Sequence, residues 1–349
     1  MENTLSSWPR GNDLRIARLL SLLILLMGSA FASTATAQAK QDSAQALRSA
    51  ADISDVRGQN SPSFELDGTI QMLGADGNTS RGTYRLIWIS RHKWRDEIVF
   101  SDYSRIRVGA DEKYWMERSL DYELPQIGEL DEALDFVQRL TSAAAQPSRR
   151  AKSEKIQGLN LMCARSKLYP DHDFCVEPSQ GSLVLERLTY GDRESGGGKR
   201  LFEYSDFIRY GEKLFPGSVT VTGSRAPVVT LSVQHLGPPS EVGPDTFNPG
   251  AHDQEMLACL DRNTKGAREK MPEYPLSAKQ AGIQGGVVIY AVIGSNGAVS
   301  KPRAVESTNP ELSQAALRAV SQWTYAPPTC GGVTGTKETF ISVTFRLNN

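Results

Sequence analysis

The sequence predicts an α+β protein in two folded parts, an antiparallel half-barrel-like β domain followed by a small αββαβ domain. Three observations carry this expectation. Apolar residues alternate with period two through about ten or eleven short segments between Phe64 and Gln234. A Pro/Gly-rich stretch then breaks the rhythm at 237–251. Beyond it, strand patterns bracket a single helix-period stripe, Leu312, Ala316, Val320 and Trp323. A chain of 349 residues, at roughly 150 residues per domain, has room for two such parts and a leader. Lys+Arg and Asp+Glu nearly cancel, 39 against 40. No global field would gather nucleic acid, and that class of partner is excluded.

The first 37 residues read as a secretory signal peptide. Arg10, Arg15 and Arg18 precede the apolar run Leu19 to Ala32, and Ala35-Thr36-Ala37 supplies small residues for cleavage before Gln38. Fourteen helical residues span about 21 Å, short of the ~30 Å of a bilayer core. Extended to Ala37 the run nearly spans, so an inner-membrane anchor facing the periplasm stands as the alternative to a cleaved, periplasmic chain. No cysteine lies near enough to carry a lipid.

Residues 38–236 form the β-rich domain. A helix over Ala39–Val56 leads into strands carrying Phe64, Leu66, Ile70 and Met72, then Thr83–Ile89, Trp94–Phe100, Arg105–Val108 and Lys113–Met116. Leu130, Leu134, Val137 and Leu140 recur at helical spacing and predict one central helix, whose acids Glu129, Asp131, Glu132 and Asp135 read as a solvated helix start favoured by the dipole. Strands return at Leu161–Leu168, Asp173–Val176, Leu183–Tyr190, Arg200–Arg209, Ser218–Thr222 and Val228–Gln234. Residues 237–263, with Pro238, Pro239, Pro244 and Pro249, read as a linker ending in a short helix around Glu255 to Leu260.

The last domain, 264–349, opens with Tyr274-Pro275 and a short helix Leu276–Ala281 that Gly282 would stop. A strand from Gly285 to Ile293 turns at Asn296-Gly297 into a returning strand to about Ser307. Asn309, Pro310 and Glu311 make a helix start. The closing strand sets Ile341, Val343, Phe345 and Leu347 on one face and Ser342, Thr344 and Arg346 on the other.

An even cysteine count in an exported chain favours disulfides, and local pairing joins Cys163 to Cys175 and Cys259 to Cys330. The spacing presents no metal-ligand pair, so no metal is expected. Nor is an enzyme: no serine sits in a G-x-S-x-G elbow, Asp171-His172-Asp173 reads as a hairpin tip, Arg149-Arg150-Ala151-Lys152 as a solvated loop, and Gly196-Gly197-Gly198 lacks the Lys-Ser/Thr of a phosphate loop. No cofactor is implied.

From Met271 to Leu347 the motifs taken together resemble the C-terminal domain of the TonB family. They are Pro272-x-Tyr274-Pro275, Gly282-x-x-Gly285-x-Val287, Asn296-Gly297-x-Val299, Trp323-x-Tyr325-x-Pro327 and the closing strand. The resemblance implies a binding module linked to transmembrane transport, in which an extended segment of an outer-membrane TonB-dependent transporter, or of another envelope protein, adds a strand to the sheet edge. Carried onto this sequence, Phe340 to Leu347 would be the docking strand, with Phe340, Ser342, Thr344 and Arg346 at the partner and Tyr274 and Pro275 holding the approach. The chain departs from the family's energy transducers in three places: Leu19–Ala32 has no histidine, residues 38–236 replace a Pro-rich arm, and Met271 stands where glutamine is usual. At the level of topology the upstream region resembles the half-barrels of LolA-type periplasmic carriers. That likeness implies a concave face, lined by Leu86, Trp88, Trp94 and Trp115, able to hold a hydrophobic or lipidated ligand.

The signal-peptide reading predicts that intact-mass analysis of protein from the periplasmic fraction finds a chain beginning at Gln38. Full-length chain in the inner-membrane fraction would favour the anchor instead.

Overall fold

A computed structural model describes residues 42–74, 77–111, 113–148, 151–190, 198–223, 227–240, 242–250, 254–256, 266–330 and 333–347. The expected signal peptide, Arg149-Arg150, Gly196-Gly197, Cys259 and the Cys330 side chain lie outside the described residues.

Helix α1 (42–54) precedes a meander of β1 (Phe64–Leu73), β2 (Thr79–Ser90), β3 (Lys93–Val99), β4 (Ser104–Ala110) and β5 (Lys113–Arg118). Two helices follow, α2 (Pro125–Leu134) and α3 (Phe136–Ala145). The chain then makes β6 (Lys152–Ile156), β7 (Leu159–Ala164), β8 (His172–Val176), β9 (Leu183–Tyr190) and β10 (Gly198–Ser205), a small hairpin β11 (Ile208–Tyr210) and β12 (Lys213–Phe215), and β13 (Ser218–Thr222) with β14 (Pro227–Gly237). β14 returns to pair with β1, so both halves join in one antiparallel sheet of 13 strands. It runs β5-β4-β3-β2-β1-β14-β13-β10-β9-β8-β7-β6, with a further strand, β15 (Gln254–Met256), outside β5.

The inner face of this sheet is covered by the three helices. Phe64, Leu66 and Ile70 of β1, Tyr84 and Leu86 of β2, and Phe202 and Tyr204 of β10 are buried against Leu47 of α1, Ile127 and Leu130 of α2, and Phe136 and Leu140 of α3. The α+β half-barrel expectation holds, with local corrections. The central helix is two helices, because Asp135 leaves helical geometry (φ −85°, ψ 15°) and serves as the C-cap of α2 and the N-cap of α3. Gln254–Met256 is a strand paired with Met116, Trp115 and Tyr114, not the start of a helix, because the open edge of β5 supplies backbone partners that a short helix lacks. The Pro-rich stretch before it is no free linker either. Phe247 is buried on the outer face against Ile87 and Val108, and the Lys93 ammonium sits 5.0 Å above its ring. Proline excludes ladder pairing there but leaves such side-chain contacts available, and burying one phenyl contributes about 1.5–3 kcal/mol.

In the C-terminal part, β16 (Gly266–Arg268) leads to α4 (Leu276–Gln280), β17 (Gly285–Ile293), β18 (Val299–Ser307), α5 (Pro310–Val320), β19 (Thr324–Tyr325), the pair β20 (Thr329–Cys330) and β21 (Val333–Thr334), and β22 (Lys337–Phe345). The sheet order is β18-β17-β22, with β16 paired separately to β19. Its core packs Ile289, Ala291 and Ile293 with Ile341, Val343 and Phe345 against the expected stripe Leu312, Ala316 and Val320, while Leu347, expected on the same face, lies beyond the end of β22 and is half-buried. Asn309 Oδ1 accepts from the N–H groups of Glu311 and Leu312 and caps α5. Gly297 has φ +80°, and a Cβ there would stand 2.1 Å from the Tyr325 carbonyl, so this turn requires glycine.

Cys163 and Cys175 face each other across β7 and β8 and are bonded. The bridge is buried on the outer face with Leu161 and Leu185. Replacing both cysteines by alanine is expected to lower stability by about 3 kcal/mol, the chain-entropy value for so short a loop. Urea midpoints of parent and variant measure this, and equal midpoints would contradict it.

Candidate functional site

The site is built on β22. Its register with β17 runs from Gly285↔Phe345 to Ile293↔Lys337, and no described strand pairs with its other side. The direction of the edge groups follows from one bond beyond the ladder. The Thr308 N–H donates to the Gly286 carbonyl at 3.3 Å, so Gly286 turns its backbone toward β18. Its partner Thr344 is therefore in a non-hydrogen-bonded pair and turns its own N–H and C=O to the open side. Period two carries the same orientation to Ser342, Phe340 and Glu338. Ser342, Thr344 and Arg346 are exposed.

The approach segment is fastened beside this strand. The Tyr274 hydroxyl donates to the Ile283 carbonyl, and its ring stands edge-on to Phe345 at 5.4 Å between centroids. Pro275, at φ −58°, is the N-cap of α4. Trp323 Nε1 donates to the Lys270 carbonyl at 2.8 Å and holds the start of the same segment.

The sheet face opposite α5 is also covered around Tyr290 and Phe340, which the sequence reading missed. Tyr290 is 3% exposed although it belongs to the face away from the core. Its ring lies 6.1 Å from Phe340 and 5.9 Å from Tyr122 of the β domain. Arg118 donates to both oxygens of Glu338 at 2.8 and 2.9 Å, Arg303 to Asp121 at 2.9 Å, and Gln126 to Glu306 at 2.6 Å. A Cβ on Gly128 would approach the Phe340 ring to 3.4 Å. Residues 118–128 thus form a cradle under the C-terminal sheet, and Phe340 offers its backbone to the edge while its ring faces that cradle. The signal in the sequence was Tyr290, an aromatic on the outward register of an otherwise apolar strand.

A buried ion network holds the cradle in place. Arg105, its side chain 0% exposed, donates to both oxygens of Asp131 at 2.6 and 3.0 Å and to Glu123 at 3.1 Å. Arg107 bridges Asp96, at 2.9 and 2.5 Å, and Asp131, at 3.0 Å. Burial would raise the Asp131 carboxyl, but the two guanidinium groups outweigh it and bring it down to about 2. The expectation that these acids form a solvated helix start is corrected: Asp131 faces the sheet because β3 and β4 present Asp96, Arg105 and Arg107 on their inner register. His172 opens β8 beyond the turn that carries Asp171, and its Nδ1 lies 2.6 Å from buried Glu186, which Arg139 of α3 also holds at 2.7 Å.

The four residues expected to line a ligand cavity do not share one face. Leu86, Trp88 and Trp94 follow the inner register, while Trp115, paired with Val108, follows the outer one because adjacent residues of a pleated strand point apart. Leu86 is buried in the core; Trp88 stacks on Phe64 and lies under the Arg57 guanidinium. Trp94 covers Gly109, where a Cβ would stand 2.3 Å from its Nε1. Two cavities, of about 440 and about 320 Å³, lie among outer-face residues instead.

Comparison with known proteins bears on the C-terminal part. Residues 270–347 match the family described as the Gram-negative bacterial TonB protein C-terminal. This segment is a TonB C-terminal domain. The chain is 29% identical over 105 residues to protein TonB of Vibrio cholerae, covering 30% of this chain, and 30% identical over 95 residues to protein TonB of Xanthomonas campestris pv. campestris, covering 27%. It spans 42% of the length of each. Among solved structures it is similar to the TonB C-terminal domain of Pseudomonas aeruginosa, with 24% identity, a TM-score of 0.23 and coverage of 26% of this chain and 92% of that one. The upstream domain is similar to a putative outer membrane lipoprotein-sorting protein domain from Vibrio parahaemolyticus, at 11% identity and TM-score 0.38, over 58% of this chain and 95% of that one. It is also similar to a LolA superfamily protein from Nitrosomonas europaea, at 12% identity and TM-score 0.37, over 61% and 98%.

Between cradle and TonB C-terminal domain, burial pushes the Glu129 carboxyl up to about 7, with Arg200 pulling down and Glu132 and Glu306 adding repulsion. Its Oε2 is buried without a hydrogen-bond partner among the described residues. A carboxyl raised in the folded state binds its proton more tightly there than in the unfolded chain. Its contribution to stability therefore falls as pH rises from its ordinary 4.5 toward 7. Glu129→Gln is expected to flatten the fall in urea midpoint between pH 5 and pH 7.5, and an unchanged slope would contradict the assignment.

Proposed function

We propose that this chain is a cell-envelope protein facing the periplasm, whose TonB C-terminal domain takes up an extended segment of an outer-membrane transporter or another envelope partner by strand addition at β22. The observation that carries this reading is the orientation of the edge. Phe340, Ser342 and Thr344 turn backbone donors and acceptors to an open side, while α5 covers one face of the sheet and residues 118–128 cover the other. An extended peptide satisfies such an edge with main-chain hydrogen bonds and asks little of its own sequence. The matched TonB proteins support the choice of partner class. Arg346 and the ring of Tyr274 stand at the end where a docked strand would leave the edge. The carrier alternative needs α1, α2 and α3 to leave the inner face before a hydrophobic ligand could reach Leu86 and Trp88.

The test uses the full chain without its leader. Proline lacks an N–H, and at Thr344 the group it removes is one that faces the open side rather than β17. Thr344→Pro is expected to abolish binding of a synthetic TonB-box peptide in calorimetric titration, with far-ultraviolet circular dichroism unchanged. Thr344→Ala should weaken binding by less than about 1 kcal/mol, since main-chain bonds carry the affinity. A folded Thr344→Pro chain that binds like the parent would move the docking site elsewhere.

A further inference from the structure

The cavity of about 440 Å³ lies on the outer face of the large sheet beside the edge strand β6. We propose that it binds a cationic amphiphile, a small molecule with an apolar body and a protonated amine. Its volume lies in the range of small-molecule sites, roughly 300–1,000 Å³. The floor is apolar, from Ile156, Leu161 and Leu185, and Leu159 stands at the mouth with 43% exposure, unusually high for leucine.

The polar groups are of one sign. Glu177, Glu203 and Asp206 line the cavity, and among the described residues no cationic side chain does. On the same sheet face the neighbouring acids are neutralised: Glu154 holds Arg187 at 3.0 Å, and Asp173 is bonded to Arg165. The cavity acids are instead oriented by neutral donors. Gln157 donates to Glu203 at 2.9 Å, Thr222 to Glu203 at 3.3 Å, and Ser205 to Asp206 at 3.0 Å. These contacts fix the carboxylates without cancelling their charge.

An independent observation points the same way. Ser182 lines the cavity, is 0% exposed, and its Oγ has no hydrogen-bond partner among the described residues. A buried hydroxyl left unpaired costs about 1–3 kcal/mol. An ammonium, with three N–H donors and no acceptor, suits a hydroxyl oxygen and carboxylates together, whereas an anion meets repulsion from three sides. The apolar floor then receives the body of the ligand.

The probe is dansylcadaverine, a primary amine on an apolar dansyl group, titrated into the full chain without its leader and followed by emission. The expected result is saturable one-to-one binding with a blue shift. The N-acetylated probe, of the same shape but uncharged, should bind at least about tenfold more weakly, the equivalent of 1.4 kcal/mol. Glu203→Gln with Asp206→Asn should cost as much. Leu159→Lys, an exposed position that the fold does not need, should block the cavity with its own ammonium and tests the site if the double variant fails to fold. Absence of binding to the parent, equal binding of the acetylated probe, or unchanged binding to Leu159→Lys would each overturn the proposal.

Discussion

The buried pairing of Arg105 and Arg107 with Asp96, Asp131 and Glu123 is the constraint on which the rest of the architecture depends. A guanidinium with no solvent exposure is tolerated only when carboxylates and their geometry compensate its desolvation, and removing one partner from such a pair typically costs about 3–5 kcal/mol. Here the compensation draws on separate elements: Asp96 from β3, Asp131 from α2, and Glu123 from the segment between β5 and α2. Tyr103 adds a hydrogen bond to Glu123. The network therefore does more than neutralise charge. It fixes where α2 lies on the sheet and where the chain leaves β5.

That placement decides what the TonB C-terminal domain can present. Arg118, Asp121, Tyr122 and Gln126 reach its sheet from the segment that the network holds. The exposed ion pair between Arg303 and Asp121 adds little by itself, but bidentate Arg118–Glu338 is half-sheltered and lies beside the buried Tyr290. With one face of the small sheet on α5 and the other against the cradle, β18 and β22 remain as its edge strands among the described residues, and β22 is the one that lies beside the Tyr274 segment. The same packing fills the inner face of the half-barrel with helices, so the aromatic residues there serve the core.

The C-terminal domain was legible in the sequence because its determinants are local. Asn309 before Pro310, Asn296-Gly297 between two strand patterns, and alternation from Ile341 to Phe345 each specify a nearby backbone conformation. The β strands upstream were legible for the same reason. What escaped was set by partners distant in the chain. Nothing near Asp131 shows that Arg105, 26 residues earlier, will face it across the core, so a row of acids at a helix start read as solvated. Trp115 was grouped with Trp94 by residue type, but the register of β4 and β5 sends them to opposite faces. Phe247 among prolines read as linker because its contacts, Ile87 and Val108, lie on strands more than a hundred residues upstream. The edge residues of β22 were identified as outward side chains, and only the Thr308–Gly286 bond gave their backbone direction.

The central claim is that the ion network holds the cradle and that the cradle fixes the TonB C-terminal domain against the half-barrel. ¹⁵N relaxation of a chain starting at Gln38 tests this directly through the rotational correlation time of each part. The account predicts one correlation time shared by both parts in the parent, and a shorter one for the C-terminal domain in Asp131→Asn. Separate correlation times in the parent, or a shared one that survives in a folded Asp131→Asn chain, would contradict it.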